Sequence, residues 1–106
     1  MTFRPVPKNP YKPRKPTKAK RGKFDEKTRK AIHERDNYSC RVCGIQASQI
    51  HHVKFKSANG RGVYTNGLTV CQDCHFDIHQ HHEKAQYWQN KFQKDYGQDY
   101  YKDEWD

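Results

Sequence analysis

Apolar positions in this chain are sparse, and their spacing changes from one segment to the next. Between residues 26 and 36, Thr28, Ala31, Ile32 and Arg35 fall on one face at helical spacing. Asp25, just ahead, is a residue type that accepts from the free amides of a first helical turn, and Glu26 favours the positive end of the helix dipole. The spacing therefore predicts a short helix over 26 to 36. Asn37, Tyr38 and Ser39 turn the chain into CRVCG at 40 to 44, where two cysteines backed by a glycine read as a tight metal-binding knuckle. Residues 50 to 55, IHHVKF, alternate imperfectly through Ile50, His52, Val53 and Phe55. That is the period of a short strand, and it sends His51 and His52 to opposite faces.

Residues 56 to 67, KSANGRGVYTNG, hold three glycines and two asparagines without a sustained period, so they read as a loop. Leu68, Thr69 and Val70 predict a second, very short strand that runs into CQDCH at 71 to 75. From 75 to about 95 one helix is expected, with Phe76, Ile78, Trp88 and Phe92 as its apolar contacts and Gly97 as its end. In the last segment, QDYYKDEWD, Tyr100, Tyr101 and Trp105 are placed to pack back on the domain, while five acids from Asp95 onwards are expected to face water. The sequence shows no internal repeat.

Composition turns this pattern into a constraint. The 106 residues allow one small domain. Leu, Ile, Val and Phe together number 15 of them, below the roughly 20% at which a charged chain tends towards disorder. So thin a core needs a staple, and four cysteines and seven histidines can supply it as a bound metal. No run reaches the ~20 apolar residues that span a bilayer, and no apolar stretch of a secretory signal follows the basic N-terminus. The chain therefore reads as cytoplasmic, with no membrane partner. In a reducing compartment two Cys-X-X-Cys pairs point to zinc in preference to disulfides.

The net charge of +9 is unevenly placed: residues 1 to 23 hold nine Lys or Arg and no acid, whereas 24 to 106 hold twelve of each sign. All five prolines, at 5, 7, 10, 13 and 16, lie in that first stretch. This predicts a basic, flexible, extended arm over 1 to 23 ahead of a folded domain over 24 to 106. The arm suits the phosphates of nucleic acid, with Lys12, Arg14, Lys15, Lys18, Lys20, Arg21 and Lys23 as its candidate contacts. A solubilising tail and a contact with an acidic protein are the other readings.

Cys40, Cys43, Cys71 and Cys74 form two C-X2-C pairs, with positions 44 to 70 between them. Four thiolates make a closed tetrahedral site, which suits structural zinc and leaves no position for substrate. His75 is a weaker alternative ligand for that zinc. Mounted between the knuckles are the two-histidine strand and the glycine loop. His75 and His79 are four apart, so on a helix they share a face and can grip one ion; His51 can complete a three-histidine site, with His52 on the opposite side free to act as a base. His81 and His82 read as surface side chains.

HHVKF, Asn66 five residues before Cys71, CQDCH, His79 and the RD-X3-C lead-in at Arg35, Asp36 and Cys40 together resemble the HNH endonuclease motif in its zinc-containing form, over about residues 35 to 79. The resemblance implies a small α+β, zinc-stabilised domain. Its ββα-metal core would pair two short strands with a helix around one catalytic metal, flanked by an N-terminal helix, a basic disordered arm and a C-terminal helix. It implies a metal-dependent endonuclease that hydrolyses DNA phosphodiester bonds by nicking or double-strand cleavage with low sequence specificity. His52 becomes the general base, and His51, His75 and His79 the ligands of the catalytic ion. Asn66 takes the N position, where it either constrains the loop holding the base or joins the metal's ligands. Neutral His52 would take a proton from the water that attacks phosphorus, leaving 5′-phosphate and 3′-hydroxyl ends.

An imidazole of ordinary pKa, ~6.5, is already neutral at physiological pH. Three imidazoles favour zinc, nickel or cobalt over magnesium, and many relatives of this type have Asp in the place of His51, so Mg2+, Mn2+ and Ni2+ all stay open as the working cation. Arg61, Lys54 and Lys56 are further candidate phosphate contacts. The basic arm and the phrase NGLTVC resemble small phage HNH proteins associated with DNA packaging, which implies terminase or portal proteins as partners in a host cytoplasm. A zinc module that binds DNA without cutting it, and an accessory subunit of a packaging motor, are the readings from other classes.

Overall fold

The computed structural model describes residues 15–106; Lys12 and Arg14 of the expected arm lie outside them. In chain order the described residues form α1 (Lys18–Arg21), α2 (Glu26–Arg35), β1 (Gln49–His52), β2 (Gly67–Val70), α3 (Gln72–Gln80) and α4 (His82–Tyr96), with two single 3-10 turns between the strands. No helix among them is long and apolar enough to cross a membrane.

The Asp25 carboxylate accepts from the Thr28 amide at 2.7 Å and starts α2 where the sequence places it. The helix ends at Asp36, and Asn37 and Tyr38, both at positive φ (57° and 54°), reverse the chain into the first cysteine knuckle. Asp36 ties that corner together. Its buried carboxylate accepts from Arg35 (2.8 Å), Arg41 (3.1 Å) and the Thr69 amide of β2 (3.1 Å). Burial alone would raise its pKa, but those donors hold it below the ordinary carboxylate value.

The strands pair antiparallel in the register Gln49↔Val70, Ile50↔Thr69, His51↔Leu68 and His52↔Gly67. β1 is shorter than the 50 to 55 expected: it ends at His52, and the Val53 amide instead donates to the Asn66 carbonyl at 3.0 Å. The sheet separates two clusters. On one side Ile50 meets Phe24 and Ile32. On the other, Val53, Leu68 and Val70 pack with Ile78, Ala85, Trp88, Phe92 and Tyr100. Each side chain of this kind taken fully out of water contributes ~1.5–3 kcal/mol, so the second cluster carries most of the apolar stabilisation.

The single helix expected over 75 to 95 is two helices. It begins earlier, at Gln72 with Cys71 as its N-cap, and breaks at His81, whose backbone is extended (φ −125°, ψ 105°). Neither Gly nor Pro marks the break. It lets α3 keep His75 and His79 towards the sheet while α4 lays Ala85, Trp88 and Phe92 on the core. Phe76 is not an apolar contact; it is 66% exposed. Gly97 does end α4, at φ 99°.

Residues 15 to 23 and the acidic C-terminal segment also depart from expectation where they meet. Residues 18–21 are helical, and the buried Arg21 guanidinium is bound by Asp103 (2.7 Å) and Asp106 (2.8 Å). Those two acids therefore do not simply face water; their positive partners come from segments far earlier in the chain.

Candidate active site

The first knuckle is closed by the Cys40 amide donating to Ile45 O at 2.7 Å and by Gly44 at φ 87°. The second is the N-terminus of α3, where the Cys74 amide donates to Cys71 Sγ at 3.4 Å. The ligand atoms of Cys40, Cys43, Cys71 and Cys74 all lie within 4.8 Å of one another. Cys43 and Cys71 Sγ are 3.7 Å apart, matching the edge of about 3.75 Å that follows from four Zn–S bonds of ~2.3 Å at tetrahedral angles. Burial raises the Cys40 thiol, but the amides of Cys43, Cys71 and Val42 outweigh it and bring the pKa to about 6. Burial and the neighbouring sulfurs push Cys74 up. The donor set and its spacing fit zinc.

His51 sits at the centre of β1, fully buried, with ring centroids 5.3 Å from His75, 5.1 Å from His79 and 5.7 Å from Phe55. Neither of its ring nitrogens has a hydrogen-bond partner. A buried polar atom left in that state costs about 1–3 kcal/mol, a cost that coordination to a cation removes. The ligand atoms of His51, His75 and His79 lie within 4.8 Å of one another. Burial first, and then the crowding of the other imidazoles, pushes His51 down to about pKa 3 and lowers His75 as well. His75 Nδ1 donates to the Gln49 amide oxygen at 3.0 Å, which leaves its Nε2 lone pair free. Phe55 stacks on His79 at 5.1 Å and fixes that ring's plane. The trio therefore fits a divalent cation.

His52 leaves the strand on the other side. Its Nε2 lies 2.5 Å from the Gly22 carbonyl oxygen, and the Phe24 ring lies 4.4 Å from its own. A carbonyl oxygen only accepts, so Nε2 carries the proton and Nδ1 holds the lone pair. Burial lowers the pKa of His52 against the opposing pull of the carbonyl, so the ring stays neutral below the ordinary histidine range. His52, Phe55, Lys56, Ser57, His75 and His79 line one open cleft of about 310 Å³, so the strand end brings His52 to the same opening as His75 and His79, while His51 of the trio stays fully buried.

Asn66 is fully buried in the 3-10 turn before β2. Its Oδ1 accepts from the Lys54 amide (2.7 Å), and its Nδ2 donates to the carbonyls of Lys54 (3.2 Å) and Arg61 (2.9 Å). Of the two roles open to it, this geometry is that of a brace. Both ends of its amide are engaged by the loop that leaves His52, and the three-histidine group does not include it.

The candidate phosphate contacts divide. Arg61 is buried and paired with Asp106 at 3.0 Å, and so does not reach outward from a flexible loop. Arg21 is engaged in the same way. Lys54 lies over the Tyr101 ring with Nζ at 5.1 Å. Lys15, Lys18, Lys20, Lys23 and Lys56 keep solvent-facing positions, Lys56 at the rim of the cleft. Sequence reasoning missed Gly22, Gln49 and Phe24. Gln49 carried a signal, since two residues from His51 on a strand puts it on the same face. Gly22 carried none, because its contribution is a backbone oxygen delivered from a remote part of the chain.

Comparison with known proteins agrees with this geometry. The chain is 38% identical over 47 residues to a mitochondrial DNA mismatch repair protein mutS homolog of Sarcophyton glaucum, an alignment covering 39% of this chain and 5% of that one. The chain thus corresponds to a small part of that relative's length. No solved structure matches significantly. Residues 40–81, from Cys40 to just past His79, match the model of the HNH endonuclease family.

Proposed function

We propose that the protein is a metal-dependent endodeoxyribonuclease in which His52 is the general base and His51, His75 and His79 hold the divalent cation. The observation that carries this reading is the meeting of His52, with its Nδ1 lone pair free, and His75 and His79 at one cleft, inside a segment that matches the HNH family. Four cysteines hold a structural zinc that joins the two knuckles and thereby sets α3 against the sheet.

The chemistry follows from proton bookkeeping at His52. Its Nε2–H is held by Gly22 O, so Nδ1 accepts a proton from water as the water oxygen attacks phosphorus. The P–O3′ bond breaks with its electron pair on O3′, which takes a proton from solvent water, and the products carry 5′-phosphate and 3′-hydroxyl ends. The cation supplies stabilisation of the negative charge that develops on the phosphate oxygens. General-base help of this kind contributes ~10²–10⁴ in rate. Asn66 keeps Lys54 and Arg61 in place and so sets the direction in which the chain leaves His52.

DNA is the substrate class. The family match and the mismatch-repair name of the Sarcophyton relative support it, as do the lysines at 15, 18, 20, 23 and 56. No segment of the sequence resembles a base-reading helix, so contacts are expected on the phosphate backbone with low specificity. The basic residues from 1 to 23 and the NGLTVC phrase support a role in phage DNA packaging in a host cytoplasm, with terminase or portal proteins as partners. The test is digestion of supercoiled plasmid by protein holding only its structural zinc, supplied in turn with Mg2+, Mn2+ and Ni2+. Nicked or linear product with 5′-phosphate ends is expected in at least one. Intact plasmid in all three, with DNA still retarded in a gel, would move the assignment to a non-cutting zinc module.

A further inference from the structure

The carbonyl that fixes His52 lies between α1 and Phe24, whose buried ring packs with Ile32 and Ile50. α1 has no buried residue. Besides the bonds of the Arg21 and Gly22 amides to Thr17 O (2.9 Å) and Lys18 O (3.0 Å), three ties hold the backbone at 21–22 to the rest of the molecule. The Gly62 amide donates to Arg21 O at 2.8 Å, His52 Nε2–H donates to Gly22 O, and the Arg21 side chain reaches across to the C-terminal segment. There its Nε and one terminal nitrogen grip both oxygens of Asp103 (2.9 and 2.7 Å), and the same terminal nitrogen reaches Asp106 at 2.8 Å. Asp106 also accepts from Arg61 at 3.2 and 3.0 Å, and Asp103 and Asp106 are linked by the Asp103 amide donating to Asp106 at 3.0 Å. The Arg61 carbonyl is one of the two that Asn66 holds. Both sides of the His52 loop thus converge on two carboxylates at the far end of the chain.

We propose that Arg21, Asp103 and Asp106 form a positioning clasp: by fixing the Gly22 carbonyl against His52 Nε2, the acidic C-terminal segment sets the tautomer and orientation of the base. The inference rests on the reading of His52 as that base. Neither acid nor Arg21 lines the cleft, so the clasp acts on the reaction through His52 alone. Bidentate arginine–carboxylate pairs are geometrically specific, which is what holding one peptide plane requires. Without the clasp the Gly22 carbonyl drifts, the proton is no longer confined to Nε2, and Nδ1 is not consistently the basic nitrogen. Misplacing a reacting group by ~1 Å costs about 100-fold in rate.

The experiment uses the full-length, zinc-loaded chain and compares wild type with Asp103→Asn/Asp106→Asn, Arg21→Gln and Asp103→Glu. Long-range 1H–15N NMR correlations of the His52 ring report which nitrogen carries the proton, and plasmid cleavage gives kcat and KM separately. Wild type is expected to show Nε2–H only. The double variant should show a mixture of both tautomers and lose about 10- to 100-fold in kcat at unchanged KM, with zinc content and circular dichroism unchanged, and Asp103→Glu should keep most of the rate. A double variant with pure Nε2–H and wild-type kcat would overturn the clasp. Should the double variant fail to fold, Arg21→Gln decides by the same two readouts. His52→Ala separates the two levels: wild-type cutting by that variant would sink the base assignment, while the tautomer readout would still uphold or overturn the clasp.

Discussion

Asn66→Asp separates the two roles open to this asparagine. The substitution keeps an oxygen where Oδ1 accepts from the Lys54 amide, but replaces Nδ2, which now donates to Lys54 O at 3.2 Å and Arg61 O at 2.9 Å, with a second oxygen. Two carbonyls lose their donor, that of Arg61 in a buried contact and that of Lys54 in a partly buried one. At about 1–3 kcal/mol for each polar group left without a partner, the loss comes to ~2–6 kcal/mol, a large share of the ~5–15 kcal/mol of a typical domain. For a small domain each kcal/mol is about 4–8 °C in Tm, so the variant is expected to melt at least ~8 °C lower. Thermal unfolding at fixed zinc concentration measures this, and calorimetric titration with Mn2+ measures the cation site. The brace role predicts lower Tm and no gain in Mn2+ affinity, since the added carboxylate faces the loop. An unchanged Tm with tighter Mn2+ binding would refute it and make residue 66 a ligand.

The other expected outcomes concern the staple, the loop and the buried histidines. Cys71→Ala removes both a proposed zinc ligand and the α3 cap, so stoichiometric zinc and helical signal should be lost together; full zinc content would argue against the four-cysteine site. Gly60→Ala places a Cβ 1.7 Å from Lys54 O and 2.9 Å from Phe55 O, and the backbone leaving His52 has to move. The amide resonances of 52–55 should shift and cutting should fall, and wild-type spectra would show that the loop tolerates the methyl. His33 and His51 are buried with pKa values below the ordinary ~6.5, chiefly through desolvation. The unfolded chain takes up these protons first, so stability is full above about pH 6.5 and falls as pH drops towards the folded values, by up to ~1.4 kcal/mol per pH unit for each histidine. Urea midpoints between about pH 7.5 and 5.5 check the sign, and stability that rises on acidification would contradict it.

The parts of this molecule that were legible beforehand are those where residue type alone restricts geometry. Asp25 caps α2 as its residue type predicts, the two C-X2-C pairs bring their sulfurs together, and His75 and His79 at i, i+4 spacing share a face. Asn66 was legible as a position but not as a role, because an amide can brace or ligate, and the three backbone partners that favour the brace come from the folded loop. The break at His81 was hidden because no breaker residue marks it: the His81 backbone is extended, and the bend lets Ile78 of α3 and Ala85, Trp88 and Phe92 of α4 reach the same core cluster. Arg21 and Arg61 misled for a related reason. Basic residues among prolines and glycines usually face solvent, and their partners, Asp103 and Asp106, lie too far along the chain for local pattern to reveal. The same distance concealed the Gly22 carbonyl, which has no side chain to announce it.

The most direct test of the central assignment is single-turnover cleavage of a labelled DNA duplex by wild type and His52→Ala, each verified to hold one zinc and to bind the duplex equally. The account predicts that wild type cuts in the presence of an added divalent cation and leaves 5′-phosphate ends, while His52→Ala is slower by at least ~100-fold. Equal rates for the two proteins would contradict it.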